Sequence, residues 1–417
     1  MNTLKVKPRL AVVSPFLDKR HGTERRVVEW VSQLAAEFEI HVYSQRVEDI
    51  DPSGFTWHRV PRLPGPHFAN FLWWFLANHL WRAWDRLFGH LRYDLVFSPG
   101  INCLDADAIS VHIVFAQYVK QMRSKSERAR WVASHWPQLL HRKLYYWFII
   151  LLERRAYPRS DISLILIAKR TRVALEEFYG RHDPCPVVYL GLDHQVFNPG
   201  RRRALRQESR RGLGLSDDRF ALLLVGNDWQ NKGLPVLLDA MELLGGLPID
   251  LFVVGSDDPM RYRSTVHAKS LDEHVYFLPP RPDIEFYYAG VDAYAGPSLE
   301  DTFAQPPAEA MACGLPVIVS ATNGTCEIIT DGKDGLILSD PTDATVLSAM
   351  IRRLFEDIEF RRSLGMNASE TARQYTWERN GRELAAIFRD ILLRKTESVM
   401  RERVPKRQTN EDARRAE

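Results

Sequence analysis

The chain is poor in cysteine. Four occur in 417 residues: Cys103, Cys185, Cys313 and Cys326. No two form a C-x-x-C pair and no histidine cluster stands near them at zinc spacing, which excludes a disulfide-stapled scaffold or a zinc-finger type of site. Thiols scattered through so long a chain read as reduced and point to a cytoplasmic protein. The chain also lacks any run of about 18 apolar residues, so no membrane-spanning helix is expected. Its longest apolar stretch, Tyr145 to Leu152, is closed off by Arg142-Lys143 and Arg154-Arg155. The opening residues Met1 to Pro8 have no apolar core of the kind a secretory leader needs. Nor is there an excess of one charge. Lys and Arg total 56 against 53 Asp and Glu, a net +3, which leaves no nucleic-acid footprint over the whole molecule. No short-period repeat is present.

Hydrophobic residues make up 45% and charged residues 26%, both globular values, and the length implies two or three domains. The chain opens on an apolar strand, Arg9 to Val13, followed by a loop and a helical pattern with Val27, Val28, Val31, Leu34 and Ala35 on one face. Further short strands read at Ile40–Tyr43, Asp94–Phe97 and Ala108–Val111. The same alternation restarts after Phe220, with strands at Ala221–Val225, Leu251–Gly255, Val275–Leu278, Ala293–Ala295 and Pro316–Val319. This predicts an α/β chain of two tandem doubly wound, Rossmann-like domains facing across a cleft. The expected boundaries are 1–195 for the first domain, 196–215 for a hinge, and 216–375 for the second domain. A C-terminal helix crossing back to the first domain is expected over 376–395, then a disordered tail over 396–417. Ligands bind such sheets at the carboxyl ends of their strands, and a hinge would let the domains close on one.

Four segments carry candidate chemistry. In Ala295 to Val319 a strand is followed by a loop with Glu300 and Asp301, then Pro306-Pro307, which suit a helix's first turn, and Gly314, which suits its end. A helix N-terminus aimed at the cleft is an anion site. Glu309, read as lying in the first turn, can accept two sugar hydroxyls; the plainer reading is a carboxylate complementing the helix dipole. In Leu222 to Gly233, Lys232 stands just before a helix and can reach a diphosphate, or is an ordinary solvated lysine. In the first loop, Gly22 lets backbone approach a ligand, or marks a plain turn. His112 ends a strand, where sites cluster, though a lone histidine is commonly structural.

Together these segments resemble glycosyltransferase family 4, the retaining nucleotide-sugar transferases of GT-B fold. The resemblance rests on Asp301-x7-Glu309 followed by Ala310-Met311-Ala312-Cys313-Gly314-Leu315-Pro316-Val317. Gly324 to Ile329, Asp331 to Gly335 and Val188 to Pro199 add to it. Val225 to Gly233 and Phe252 to Asp257 are most similar to the lipopolysaccharide-core glucosyltransferase branch. The resemblance implies that Glu309 holds the donor ribose and Lys232 the diphosphate. Asp301 with the backbone of Thr302, Phe303, Ala304 and Gln305 would face the donor sugar and phosphates. Gly22 and Thr23 would meet the phosphate from the other domain, His112 would sit by the transferred sugar, and Arg281 would lie near the base. Asn227 stands where many relatives carry an arginine, Thr23 where a second glycine is usual, Asp301 where glutamate is usual, Ala304 for a glycine and Leu190 for an asparagine.

The expected activity is transfer of a hexose, UDP-linked, with retention, to a glycan or lipid-linked envelope glycan. No cofactor beyond the nucleotide diphosphate sugar donor is expected, and no metal. Asp105-Ala106-Asp107 has D-x-D spacing but precedes the His112 strand in a two-sheet chain and is not read as a metal motif. Residues 68–91 and Trp131 to Leu152 are aromatic and basic, a pattern fitting helices that lie on an anionic membrane or that pack on the first sheet. The expected location is cytoplasmic, with a peripheral place on the cytoplasmic face of the inner membrane as the alternative. The competing readings are a non-catalytic nucleotide-sugar-binding subunit and another enzyme of the same fold, such as an epimerase.

Overall fold

The computed structural model describes residues 7–18, 22–48, 50–63, 65–120 and 136–415. They divide into two compact units. The first runs to Val188 and resumes at Asn380; the second is Tyr189–Arg379.

The first unit contains β1 (Arg9–Val13), β2 (Phe16–Leu17), β3 (Glu39–Ser44), β4 (Arg46–Val47), β5 (Thr56–Arg59), β6 (Leu95–Pro99), β7 (Ala108–Val111) and β8 (Ser163–Leu166). Six of these form a parallel sheet in the order β5-β3-β1-β6-β7-β8, and β2 pairs with β4. Its helices include α1 (Gly22–Leu34), α2 (His67–Leu87), α3 (Trp136–Ala156) and α4 (Thr171–Tyr179). The second unit holds β9 (Phe220–Val225), β10 (Ile249–Val254), β11 (Val275–Leu278), β12 (Ala293–Gly296), β13 (Val317–Ser320) and β14 (Leu336–Leu338) in the order β11-β10-β9-β12-β13-β14, again all parallel. Around them stand α5 (Pro199–Gly212), α6 (Leu234–Leu243), α7 (Met260–Ala268), α8 (Glu285–Gly290), α9 (Gln305–Ala312), α10 (Ala344–Glu356) and α11 (Ile358–Ala372).

Both sheets have the doubly wound order whose direction of winding reverses beside the first strand, at β1/β6 and at β9/β12. Loops leaving the two strands at such a point diverge to opposite faces and open a crevice. Strands covered on both faces read as continuous apolar runs. β9 is such a run, and Ala221 to Leu224 are fully buried.

Within residues 196–215, expected as a hinge, Pro199–Gly212 forms a helix. Asn198 caps α5 by accepting from Arg201 N at 2.8 Å, and Pro199 occupies the first turn. The arginines of this helix pair within the unit. Arg206 and Arg210 reach Asp292 at 2.6 and 3.3 Å, and Arg201 reaches Glu285 at 2.8 Å. Long arginine stems cover apolar surface while their heads find partners, so charge alone does not mark a linker. The chain passes between units at Val188–Tyr189 and at Arg379–Asn380.

The last helix, α12 (Trp377–Arg415), joins the first unit from Asn380 onward. Asn380 Oδ1 accepts from Trp30 Nε1 at 2.7 Å, and the Phe388 ring lies 5.0 Å from that of Phe97 and 5.9 Å from that of Phe38. The backbone stays helical through Arg415, where the sequence reading has a disordered tail from residue 396. Acids stand four residues before bases, as in Glu397/Arg401 and Glu402/Lys406, a spacing that supports a helix with no apolar face.

Candidate functional site

In the second unit, the loops after β9 and β12 are tied together at the switch point. Asn231 Nδ2 donates to Glu300 O at 2.8 Å, and Leu299 N donates to Asn231 O at 2.7 Å. The Asp257 carboxylate accepts from Asp228 N and Trp229 N at 3.0 and 2.8 Å, fixing the turn that carries Lys232. Two glycines permit the close approach. Gly226 has φ 142° and lies under the Lys232 side chain, whose Cε would be 2.9 Å from a Cβ placed there. Gly233 has φ 85°, and a Cβ on it would collide with the Pro297 carbonyl. Lys232 Nζ consequently meets Asp301 Oδ2 in a mostly buried ion pair.

Asp301 is anchored on its other side by Asn323, through backbone bonds between 301 and 322–324. Asn323 Oδ1 also accepts from Ala304 N at 3.4 Å and Thr325 N at 3.0 Å, and Thr325 Oγ1 donates to Ala304 O at 2.6 Å. Thr302 to Gln305 are thus held as the lead-in to α9, whose first turn contains Pro306 and Pro307. Phe303 and Ala304 are buried. Glu309 is the fifth residue of α9, one beyond the first turn, so it does not serve as the dipole partner the sequence suggests. It is buried, and Tyr288 Oη donates to its Oε2 at 2.9 Å. Burial raises the Tyr288 phenol far above its usual range, with the Glu309 charge adding to it, so the tyrosine stays a donor. Burial raises the Tyr294 phenol on β12, and the charges of Asp301 and Glu309 push it the same way.

Two sequence candidates do other work. Asn227 Oδ1 accepts from Ser256 N at 2.9 Å, joining the β9 and β10 loops. Arg281 follows β11 at the sheet edge, separated from β9 by β10. It grips Asp283 at 3.0 and 2.7 Å and lies 4.2 Å over the Phe286 ring, so it is not brought together with Lys232. The sequence reading missed Asn231, Asp257 and Asn323, which tie loops together, and Tyr288, which joins two helices; none of these bonds has a spacing signature.

Gly22, Thr23 and His112 belong to the first unit. Gly22 and Thr23 open α1 behind β2; Lys19, Arg20 and His21 beside them lie outside the described residues. His112 follows β7, buried, its ring 5.8 Å from that of Trp30. Its Nε2 has no hydrogen-bond partner among the described residues. Burial, assisted by the Arg26 charge, pushes the imidazole down to about 3, so it is neutral at ordinary pH. The turn beyond it is held by Glu153 on α3, which accepts from Phe115 N at 2.9 Å, Ala116 N at 3.4 Å and Tyr179 Oη at 2.5 Å. Burial outweighs those bonds and pushes the Glu153 carboxyl up to about 7.

These two groups bias stability in opposite directions. The raised Glu153 contributes stability that is complete below about 4.5 and lost as pH rises through 7. The depressed His112 contributes stability that is complete above about 6.5 and lost as pH falls toward 3. Between pH 4.5 and 6.5 they largely cancel. Glu153→Gln removes only the Glu153 contribution, so across that window the variant's stability is expected to climb with pH by about 1.4 kcal/mol per unit more than the parent's. Urea unfolding at stepped pH reads this; parallel profiles for the two proteins would contradict it.

A pocket of about 480 Å³ opens in the first unit at the carboxyl ends of β1 and β6. Ser14, Glu24, Gln45, Asn70, Trp74 and Asn102 are among its walls. The mixture of amides, one carboxylate and aromatic rings suits a hydroxyl-rich ligand. Asp105 and Asp107 do not converge. Asp105 binds Arg82 at 2.6 and 2.8 Å, while Asp107 accepts from Val96 N and Lys395 Nζ, each at 2.8 Å. Among the described residues, no group of three or more His, Cys, Asp or Glu is arranged to hold a metal, and no helix is long and apolar enough to cross a membrane.

Residues 206–371, which include the Lys232, Asp301 and Glu309 loops, match the family model described as glycosyl transferases group 1. Among curated relatives, a D-inositol 3-phosphate glycosyltransferase of Corynebacterium diphtheriae is 28% identical over 254 residues, 58% of this chain and 59% of that protein. That of Corynebacterium kroppenstedtii is 31% identical over 221 residues, 49% of this chain and 48% of its own. The chain thus spans from just under half to about three fifths of the length of these relatives. Among solved structures, sucrose-phosphate synthase from Thermosynechococcus elongatus aligns with TM-score 0.73 at 20% identity, covering 93% of this chain and 100% of that one. WaaG, a glycosyltransferase involved in lipopolysaccharide biosynthesis, aligns at 0.70 and 21%, covering 91% and 99%. Anabaena HepE, solved in complex with UDP-glucose, aligns at 0.66 and 17%, covering 92% and 99%. The two parallel-sheet units are those of the GT-B architecture.

Proposed function

We propose that the chain is a glycosyltransferase that moves a hexose from a nucleotide diphosphate sugar to a hydroxyl of a glycan or lipid-linked glycan. The observation that carries this reading is the assembly of Lys232, Asp301, the α9 N-terminus and buried Glu309 at one switch point. Cleaving the bond between the sugar's anomeric carbon and the phosphate leaves an electron pair on a nucleoside diphosphate. An ammonium and the positive end of a helix dipole in a partly buried site stabilise that charge. Glu309, oriented by Tyr288, is suited to accept the paired ribose hydroxyls. We read the reaction as retaining. The acceptor oxygen bonds to the anomeric carbon on the face the diphosphate leaves, and its proton passes to the departing phosphate oxygen. No metal takes part in this reading, since the Asp105 and Asp107 carboxylates already have separate cationic and backbone partners.

UDP is the proposed donor nucleotide, supported by HepE's complex with UDP-glucose. The first-unit pocket is the proposed place for the acceptor. An envelope glycan at the cytoplasmic face of a membrane is supported by the WaaG likeness. A phosphorylated polyol is the second reading, supported by the D-inositol 3-phosphate relatives and by Arg62 in the pocket wall.

A thermal-shift panel of UDP-, GDP- and ADP-sugars tests the donor, because only a true ligand of the folded state stabilises it by mass action. One donor class is expected to raise the midpoint. Labelled donor is then offered to inositol phosphate, free sugars and lipid-linked glycans, and the product's anomeric configuration is read by NMR. Stabilisation without turnover on any acceptor identifies a binding subunit; an inverted product refutes retention.

A further inference from the structure

We propose that the exposed stripe of α2 from Leu76 to Phe88 is a docking face for an anionic lipid surface. Leu76 and Leu80 are each 60% exposed, Trp84 and Phe88 64%, and Leu87 68%. At 3.6 residues per turn, Leu76, Leu80, Trp84 and Leu87 fall within roughly a quarter of the helix circumference. The opposite side, with Trp74, Phe75, Asn78 and Arg82, is buried. The inner face therefore accounts for folding, and the outer stripe is left to water. Trp84 and Phe88 extend it past the helix end, their rings 4.3 Å apart. Scattered exposed apolar residues are ordinary on a protein; four in register on one helix mark an interaction surface.

Charge selects the partner. Between Pro52 and Tyr93 there are five arginines and a single acid, Asp85. Asp85 is turned inward, where it accepts from Tyr43 Oη at 2.5 Å and faces His58 Nδ1 at 2.8 Å. Arg82 is likewise withdrawn, onto Asp105. Arg59, Arg62, Arg86 and Arg92 remain exposed. The segment thus shows solvent leucines, a tryptophan, a phenylalanine and arginines, with no outward carboxylate. An amphipathic helix of that composition lies in the headgroup region, with its aromatic and leucine side chains in the acyl boundary and its arginines on lipid phosphates. An acidic protein groove would need a matching basic rim but not a flat run of leucines ending in Trp84 and Phe88. The inference rests on the lipid-linked acceptor reading for its biological sense, yet its readout needs no turnover.

The test is flotation of the full chain with phosphatidylcholine vesicles, with and without phosphatidylglycerol. Binding is expected on the anionic vesicles, weakened by added salt. Trp84→Glu with Leu87→Glu is expected to lower vesicle affinity at least tenfold, with the thermal midpoint unchanged because both side chains are exposed. Arg86→Glu and Arg92→Glu keep the apolar stripe and are each expected to cost about fivefold or more on anionic vesicles and little on neutral ones. Absence of parent binding overturns the proposal, as does binding indifferent to both pairs of variants. A dimer in sedimentation that Trp84→Glu dissolves, without vesicle binding, assigns the stripe to a second copy of the chain instead. Vesicle binding that persists in a chain with no transferase activity leaves this proposal standing and removes only the catalytic one.

Discussion

Lys232→Ala is expected to reduce sugar transfer by a factor of about 10² to 10³, the range for losing one preorganised donor at a developing anion. The geometry adds a second effect. Lys232 is paired with Asp301 in a site where both side chains are less than a fifth exposed. Removing the ammonium leaves a carboxylate beside the position of an incoming diphosphate, so repulsion adds to the lost attraction. The same pair makes a less obvious prediction for its other member. Asp301→Asn frees the lysine from competition, so affinity for the nucleoside diphosphate alone is expected to rise while transfer of the sugar falls. Calorimetry with the diphosphate and a turnover assay separate the two. Near-parental transfer by Lys232→Ala would remove the lysine from the site.

Gly233→Ala is expected to be the most damaging small substitution in the second unit. Its φ of 85° costs an alanine about 1–2 kcal/mol, and the added methyl also meets the Pro297 carbonyl. Either the β9 or the β12 loop must retreat, separating Lys232 from Asp301. A total cost above about 3 kcal/mol lowers the midpoint by roughly 10 °C for a unit of this size. Gly246→Ala is the control: its φ is 83°, but nothing lies within 4 Å of a Cβ there, so only the backbone cost is expected. Equal shifts for the two variants would show that the contact with Pro297 does not matter.

The sheet strands were readable because buried parallel strands announce themselves as short apolar runs, as in Leu222 to Val225. One strand with that signature, β8 at Ser163–Leu166, was nonetheless overlooked, and others missed lack it. β5, Thr56–Arg59, is a polar edge strand, and β14 is only three residues long. The helix punctuation by Pro306-Pro307 and Gly314 was also legible, since it follows from what each residue's backbone permits; Gly314 takes φ 74°. Less legible was everything decided by partners distant in sequence. Glu309 read equally as a hydroxyl acceptor or a dipole partner, and Tyr288, 21 positions away, donates to it. Residues 196–215 read as a hinge because Asp292 and Glu285, the partners of Arg206 and Arg201, lie some 80 residues downstream. Arg281, expected near the base, pairs with Asp283 and stacks over Phe286.

The two units differ in how their chain is assembled. The second is one continuous stretch, whereas the first needs Asn380 onward to supply Phe388 between Phe38 and Phe97. On a ribosome the later-made half can therefore finish folding first, while the earlier half waits with an uncovered aromatic gap. A stop codon near residue 379 would spare the unit carrying Lys232 and leave its companion exposed to chaperones and proteases.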